Sequence, residues 1–283
     1  MPERRTGEVL HGVRRQLHEA GVAEEPSAQA RALVRECTGW SDADLIARRD
    51  RPLPGGASER LRELVERACG GEPLAYILGR CGFWTLELRV GPEALIPRPE
   101  TERLVEVALE QCGGGGALSV ADLGTGSGAI ALALASERPD WRLLGLDAAA
   151  EALDLARRNA ADCGLDSVLW CRGDWCTCLG DARFDLLVAN PPYVAEGDAH
   201  LADLTFEPRS ALVAGEGGLA DLRCIVGQGA RCLRPGGRLL LEHGAGQGAQ
   251  VRSMFAVPGW CDIQTWCDLD GRERISGARR SDV

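Results

Sequence analysis

The residues best suited to chemistry are four that close an apolar run: Asn190, Pro191, Pro192 and Tyr193, directly after DLLVA. Two prolines in succession stiffen the backbone and remove two N–H donors, which leaves the carbonyls of this stretch free to face a substrate. The Asn190 side-chain oxygen and the Pro191 carbonyl can then accept the two N–H bonds of an NH2 group, while Tyr193 can stack on its plane. Alkylation of a planar amide or amino nitrogen needs such an arrangement, and hydride transfer does not. Taken alone, the same four residues also read as a proline-terminated strand.

Upstream, Val120-Ala121-Asp122-Leu123-Gly124-Thr125-Gly126-Ser127-Gly128 joins a strand to a helix. Glycines there permit a tight turn that brings backbone N–H groups close to a ligand at a helix N-terminus. By itself the loop is equally compatible with a dinucleotide site or a structural turn. The next strand ends in Asp147, roughly 20 residues further on, where an acid can accept both hydroxyls of a ribose. Its competing role is a cap for the helix AAAEALDLARRNA. A third strand ends in Gly173-Asp174-Trp175, an acid for an adenine amino group and an indole for the purine face. Trp175 suits core filling equally well. Loop, acid and tetrad together favour methyl transfer from S-adenosylmethionine over hydride transfer, with Asn190 adjoining both cofactor and acceptor. No metal is expected, because Cys171, Cys176 and Cys178 lack a nearby histidine and zinc-like spacing.

The elements that must position these residues follow from periodicity. Beyond Thr101 the chain alternates strand and helix: LSVADLG, AIALALASE, WRLLGLD, AAEALDLARRNAADCG, SVLWCRGD, FDLLVANPPY. That order predicts an α/β fold with a Rossmann-like parallel sheet. GLADLRCIVGQGARCLRPGGRLLLEHG predicts a long helix, a Pro-Gly-Gly turn and a further buried strand. Residues 1–75 read as short helices that must pack as a bundle, with Ser27, Ser41 and Ser58 as expected caps. Residues 76–100, containing the alternating FWTLELRV, predict a hairpin linker. Residues 101–283 form the expected catalytic domain, and Gly113–Gly116 is its one expected flexible stretch.

Composition narrows the setting. The 283 residues carry a formal charge of −10, with 13 acids and 13 arginines in residues 1–80, so the net acidity lies in the remainder. A surface of that sign disfavours nucleic acid, whose non-specific binding depends on neutralising phosphates. The 12 cysteines are scattered without any C-x-x-C pair, which predicts buried reduced thiols. No apolar run reaches the roughly 18 residues of a membrane span, and the N-terminus lacks an apolar signal segment. A cytoplasmic monomer is the working expectation.

The separated motifs GEPLAYILG at 71–79, FWTLELRV at 83–90, LIPRPETE at 95–102, DLGTGSG at 122–128, NPPY at 190–193, Glu207-Pro208, LLLEHG at 239–244 and GRERISGARR near the end resemble the bacterial release factor glutamine methyltransferases. That resemblance spans nearly the whole chain. It implies a class I methyltransferase fold, an N-terminal bundle that engages a peptide chain release factor, and the glutamine of a Gly-Gly-Gln loop as acceptor. By position it implies S-adenosylmethionine at Gly124, Thr125, Gly126, Ser127, Gly128 and Asp147, with Trp175 near the adenine and Asn190–Tyr193 at the glutamine amide. A ribosomal-protein glutamine methyltransferase would share NPPY and differ mainly in its N-terminal domain. A DNA adenine methyltransferase would need a basic face, and the intact loop, acid and tetrad argue against a scaffold that only binds.

Overall fold

The computed structural model describes residues 4–21, 25–112, 114 and 116–282. Gly113 and Gly115 of the glycine run lie outside them. The chain divides into two compact units, Met1–Gly79 and Arg80–Val283.

The first unit contains α1 (Thr6–Ala20), α2 (Pro26–Thr38), α3 (Asp42–Ala47), α4 (Ala57–Cys69) and α5 (Leu74–Leu78). Each is too short to persist alone, and the apolar stripes meet in a core that includes Leu17, Leu33, Val34, Leu61 and Val65. Ser41 and Asp44 form the expected reciprocal cap, each side chain accepting from the other's backbone N–H at 3.1 Å. Ser27 and Ser58 do not cap. Pro26 occupies the first turn of α2, where its fixed φ suits a helix start, and Gly56 in the left-handed region precedes α4.

In the second unit, the hairpin β1 (Arg80–Phe83) and β2 (Leu86–Arg89) leads to α6 (Pro99–Cys112). The hairpin is fastened to the sheet-bearing unit through Asn159, which accepts from the Arg89 N–H at 2.7 Å and donates to its carbonyl at 3.1 Å. Then come β3 (Ser119–Leu123), α7 (Ala129–Glu137), β4 (Arg142–Asp147), α8 (Ala150–Cys163), β5 (Leu169–Arg172) and β6 (Phe184–Ala189). The chain continues through β7 (Val194–Ala195), β8 (Val213–Ala214), a turn α9 (Gly215–Gly218), α10 (Ala220–Cys232), β9 (Leu233–Glu242), α11 (Gly248–Phe255), β10 (Trp260–Cys267) and β11 (Glu273–Arg280).

Seven strands form one sheet in the order β10-β11-β9-β6-β3-β4-β5. β5, β4, β3, β6 and β9 run parallel, and β11 is antiparallel to both neighbours. Alternation along the strands feeds two cores. Val120, Leu186 and Val188 pack with α6 and α7, while Ala121, Leu187 and Ala189 pack with α10 and α11. Because β4 and β5 lie on one side of β3 and β6 on the other, the carboxyl ends of β3 and β6 flank the crevice where α/β sheets bind ligands. The Pro-Gly-Gly sequence is not a turn before β9 but an irregularity within it, where the register jumps from Phe184 opposite Leu233 to Leu186 opposite Arg238.

All twelve cysteines are unpaired, and only Cys176 and Cys232 are buried, fewer than their apolar neighbours suggest. Among the described residues no helix is long and apolar enough to cross a membrane, and no group of His, Cys, Asp and Glu could hold a metal.

Candidate active site

Each chemically suited residue sits at the carboxyl end of a parallel strand. The loop after β3 closes on itself: Gly124 N–H and Thr125 N–H both donate to the Leu146 carbonyl at 2.8 Å, and Gly128 N–H donates to Thr125 O at 2.8 Å. Gly126 N–H donates to Asp147 Oδ2 at 2.9 Å. These N–H groups are therefore engaged within the protein and are not free to clasp a phosphate, which corrects the sequence-based expectation that they face a ligand. Asp122 anchors the loop from below, accepting from Thr125 Oγ1 at 2.6 Å and from Ala131 N–H at 3.2 Å. Burial pushes its carboxyl up to about 7.

Asp147 serves two backbone donors. Besides Gly126, Ala149 N–H donates to Oδ1 at 2.9 Å, so Asp147 braces the turn; the helix-capping role weighed against ribose binding is not realised, because α8 starts from Ala149 without a side-chain cap. The carboxylate nevertheless lines the cavity, and each oxygen retains a lone pair for a hydroxyl. Trp175 lies against Gly124, and its Nε1–H donates to Asp221 Oδ1 at 3.2 Å. Trp175 thus packs in the α10–α11 core and also lines the cavity.

The cavity encloses about 310 Å³ and is bordered by Gly124, Thr125, Gly126, Ser127, Asp147, Asp174, Trp175, Asn190 and Pro192. Gly128 does not border it; that residue is the turn into α7, wedged beneath Trp170. Pro191 is buried, and Tyr193 is turned aside, its hydroxyl donating to Glu242 Oε1 at 3.2 Å. Burial, with the nearby Glu242 charge, pushes the Tyr193 phenol well above its usual range. Asn190 Nδ2 donates to Thr101 Oγ1 at 3.1 Å, which leaves Oδ1 as the amide atom unengaged among the described residues.

Sequence reasoning placed the segment facing this wall in the hairpin linker and in the LIPRPETE motif, without a role at the site. Leu95, Pro97 and Arg98 line the cavity, and Glu207 holds them: Oε2 accepts from Ile96 N–H at 3.0 Å, and Oε1 pairs with the Arg98 guanidinium. The available signal was Glu207 itself, an acid before a proline at a position the fold buries.

The donor set fits a nucleoside without phosphates. The carboxylate of Asp147 suits ribose hydroxyls, Trp175 offers an aromatic face, and Arg98, the one cation lining the cavity among the described residues, is already paired. Fold and cavity define a Rossmann-like methyltransferase, which uses S-adenosylmethionine. Residues 101–252 match the family described as "Methyltransferase small domain", and residues 8–79 match "PrmC N-terminal domain". The chain is 47% identical over 252 residues to the release factor glutamine methyltransferase of Xylella fastidiosa (strain 9a5c), covering 88% of this chain and 92% of that one. It is 40% identical over 279 residues to the enzyme of the same name from Escherichia coli (strain K12), covering 96% and 99%. A methyltransferase structure from Pyrococcus furiosus shares the fold at a TM-score of 0.54 and 15% identity, covering 80% of this chain and 99% of that one. The chain belongs to the release factor glutamine methyltransferase family.

Asp147→Ala removes an acceptor shared by the loop and the cavity. S-adenosylhomocysteine should bind about 10 to 100-fold more weakly, the loss expected for charge-assisted hydrogen bonds worth roughly 1.5 to 3 kcal/mol. Isothermal calorimetry measures it; an unchanged Kd would confine Asp147 to bracing the turn.

Proposed function

We propose that the protein transfers a methyl group from S-adenosylmethionine to the side-chain amide nitrogen of the glutamine in the Gly-Gly-Gln loop of peptide chain release factors. The observation that carries this reading is the Asn190 side chain, whose Nδ2 is tied to Thr101 while its Oδ1 remains available at the cavity. An acceptor presented there suits the N–H of a planar amide.

In this reading Gly124, Thr125, Gly126, Ser127 and Asp147 hold the cofactor, with Gly128 setting the turn behind them, and Trp175 lies near its adenine. When bound, S-adenosylmethionine supplies an electrophilic methyl group on a sulfonium sulfur. The protein's task is to make a poor nucleophile react, since the amide lone pair is delocalised into its carbonyl. Asn190 Oδ1 and the Pro191 carbonyl accept the two amide N–H bonds, fix the nitrogen's plane and stabilise the positive charge that develops on it. Pro192 shapes the same wall, and Tyr193 stands behind it, bonded to Glu242. Holding the nitrogen in line could supply roughly 7 to 11 kcal/mol of barrier reduction, more than a single hydrogen bond. Positioning is therefore the dominant effect, and the product nitrogen sheds one proton to solvent.

The bundle of residues 1–75 docks the release factor, the setting is the cytoplasm, and no nucleic acid or membrane takes part. The test presents purified release factor, ribosomal protein and DNA to the enzyme and locates the added methyl by mass spectrometry. Methylation of the Gly-Gly-Gln glutamine is expected, and methylation of ribosomal protein or DNA alone would overturn the reading. A chain starting at Arg80 should still bind S-adenosylhomocysteine yet methylate intact release factor far more slowly; equal rates would remove the docking role.

A further inference from the structure

From the cavity wall, which Asn190 and Thr101 both line, a chain of polar groups runs inward to a buried carboxylate. Its Nδ2 donates to Thr101 on α6, Thr101 stands beside Glu242 at the end of β9, and Tyr193 donates to Glu242 Oε1 from the other side. Glu242 is 1% exposed, follows the fully buried Leu239, Leu240 and Leu241, and leaves Oε2 without a formed hydrogen bond. The Thr101 hydroxyl is close enough to favour the charged carboxylate but does not complete a hydrogen bond to that oxygen. The fold does not require an acid here, because an apolar side chain of similar volume commonly serves a buried position at least as well. A carboxylate with an orphaned oxygen therefore calls for another explanation.

A hydroxyl carries one hydrogen. If Thr101 directs it to Glu242, only lone pairs face Asn190, and the Asn190 amide must present Nδ2 to Thr101 and Oδ1 to the cavity. The opposite orientation would set Nδ2 against the substrate NH2, donor against donor. We propose that Thr101 and Glu242 are positioning residues for methyl transfer: Glu242 draws the Thr101 hydroxyl hydrogen, and Thr101 thereby fixes the Asn190 amide with its oxygen toward the substrate. This rests on the reading of Asn190 as acceptor for the glutamine amide.

The chain has a direction that a proton can reverse. The groups facing Glu242 are Thr101 and Glu100 of α6, Tyr193 beyond β6, and Arg274 of β11, which is itself paired with Asp268. Burial is the largest influence and pushes the carboxyl up to about 7. The neutral carboxyl can donate to Thr101, whose hydrogen then turns toward Asn190 and selects the unproductive amide orientation. The charged form is productive, so turnover is present above this pKa and falls as pH drops through it.

The test uses the full-length protein and release factor under single-turnover conditions. Thr101→Val, which keeps shape and loses the hydroxyl, should reduce kcat about 10 to 100-fold, by analogy with the loss seen when a group that orients a metal-ligating residue is removed. S-adenosylhomocysteine affinity should be unchanged, and Thr101→Ser should restore most of the rate. Glu242→Gln, whose amide oxygen can accept from Thr101 at every pH, should lose the wild-type fall in kcat near pH 7. Thr101→Val at the wild-type rate, Thr101→Ser as impaired as Thr101→Val, or an acid limb unchanged in Glu242→Gln would each overturn the proposal. Wild-type protein that leaves the glutamine unmodified sinks the functional reading and this one with it. Wild-type protein that methylates beside an equally active Thr101→Val sinks this one alone.

Discussion

Asn190→Ala is expected to lower kcat about 100 to 1000-fold, a loss of about 2.7 to 4 kcal/mol, by analogy with removal of one preorganised group from an oxyanion hole. The folded protein should be nearly unaffected. Asn190 is only partly buried, and its single side-chain hydrogen bond among the described residues is the one it donates to Thr101. Cofactor affinity should also hold, because the loop after β3 and Asp147 are braced by backbone donors that do not involve Asn190. Asn190→Asp separates the two functions of the amide. It keeps an acceptor toward the cavity and should exceed alanine, yet it has no N–H for Thr101 and brings a second acid toward Glu242, so it should stay well below wild type. Rapid-quench measurement of glutamine methylation, with calorimetry against S-adenosylhomocysteine, checks both. Wild-type rates in both variants would remove Asn190 from the mechanism.

The positions of Asp147 and Asn190 were legible because of how parallel sheets are written in sequence. Strands buried on both faces appear as continuous apolar runs, as in FDLLVA and RLLGLD, and ligands bind beyond their carboxyl ends. The first polar residue after such a run is therefore a site candidate before any contact is known. The same logic applied to RLLLE marks Glu242, but an acid closing a strand also reads as the beginning of a solvent-facing loop. Its burial depends on α6 packing against β9 and on β11 pairing beside it, and Thr101 sits on α6, a helix absent from the sequence reading, which drew a domain boundary there. That pairing is long-range, set by the order of strands in the sheet and not by local periodicity.

The glycine loop illustrates a different loss of information. Gly124, Gly126 and Gly128 predict the turn correctly, since all three adopt positive φ of 72°, 55° and 85°. Composition could not say where the freed N–H groups point. They turn inward to Leu146, Asp147 and Thr125, a consequence of β3 and β4 being neighbours, and this inward turn distinguishes a phosphate-free nucleoside site from a dinucleotide site. Helix starts at Pro26 and Ala57 escaped for a local reason: several residues there could open a helix, and proline geometry at Pro26 and the left-handed Gly56 before Ala57 set the starts in place of the nearby serines.

Gly128 should be the most sensitive glycine of that loop although it does not touch the cavity. Its φ of 85° lies in the left-handed region, where a non-glycine residue costs roughly 1 to 2 kcal/mol and a β-branched one more. A Cβ there would also stand 3.0 Å from the Trp170 ring, 3.2 Å from Ala156 Cβ and 3.3 Å from Leu132 Cδ1. Those atoms belong to β5, α8 and α7, so relief requires elements on three sides to move, and overpacking of this kind costs about 1 to 3 kcal/mol. Gly128→Val should therefore destabilise the second unit by about 2 to 5 kcal/mol, a fall in Tm of roughly 4 to 20 °C for a domain of this size. S-adenosylhomocysteine binding should weaken as well, since Gly128 N–H fixes the Thr125 carbonyl at 2.8 Å and any shift of the turn passes directly into the cavity wall. Gly126→Ala is the contrast. Its Cβ would meet only Ala94 at 3.6 Å, so cofactor affinity should fall there with a much smaller change in Tm. Scanning calorimetry with and without S-adenosylhomocysteine separates the two, and a Gly128→Val protein melting with wild type would show that this turn is not the rigid base of the site.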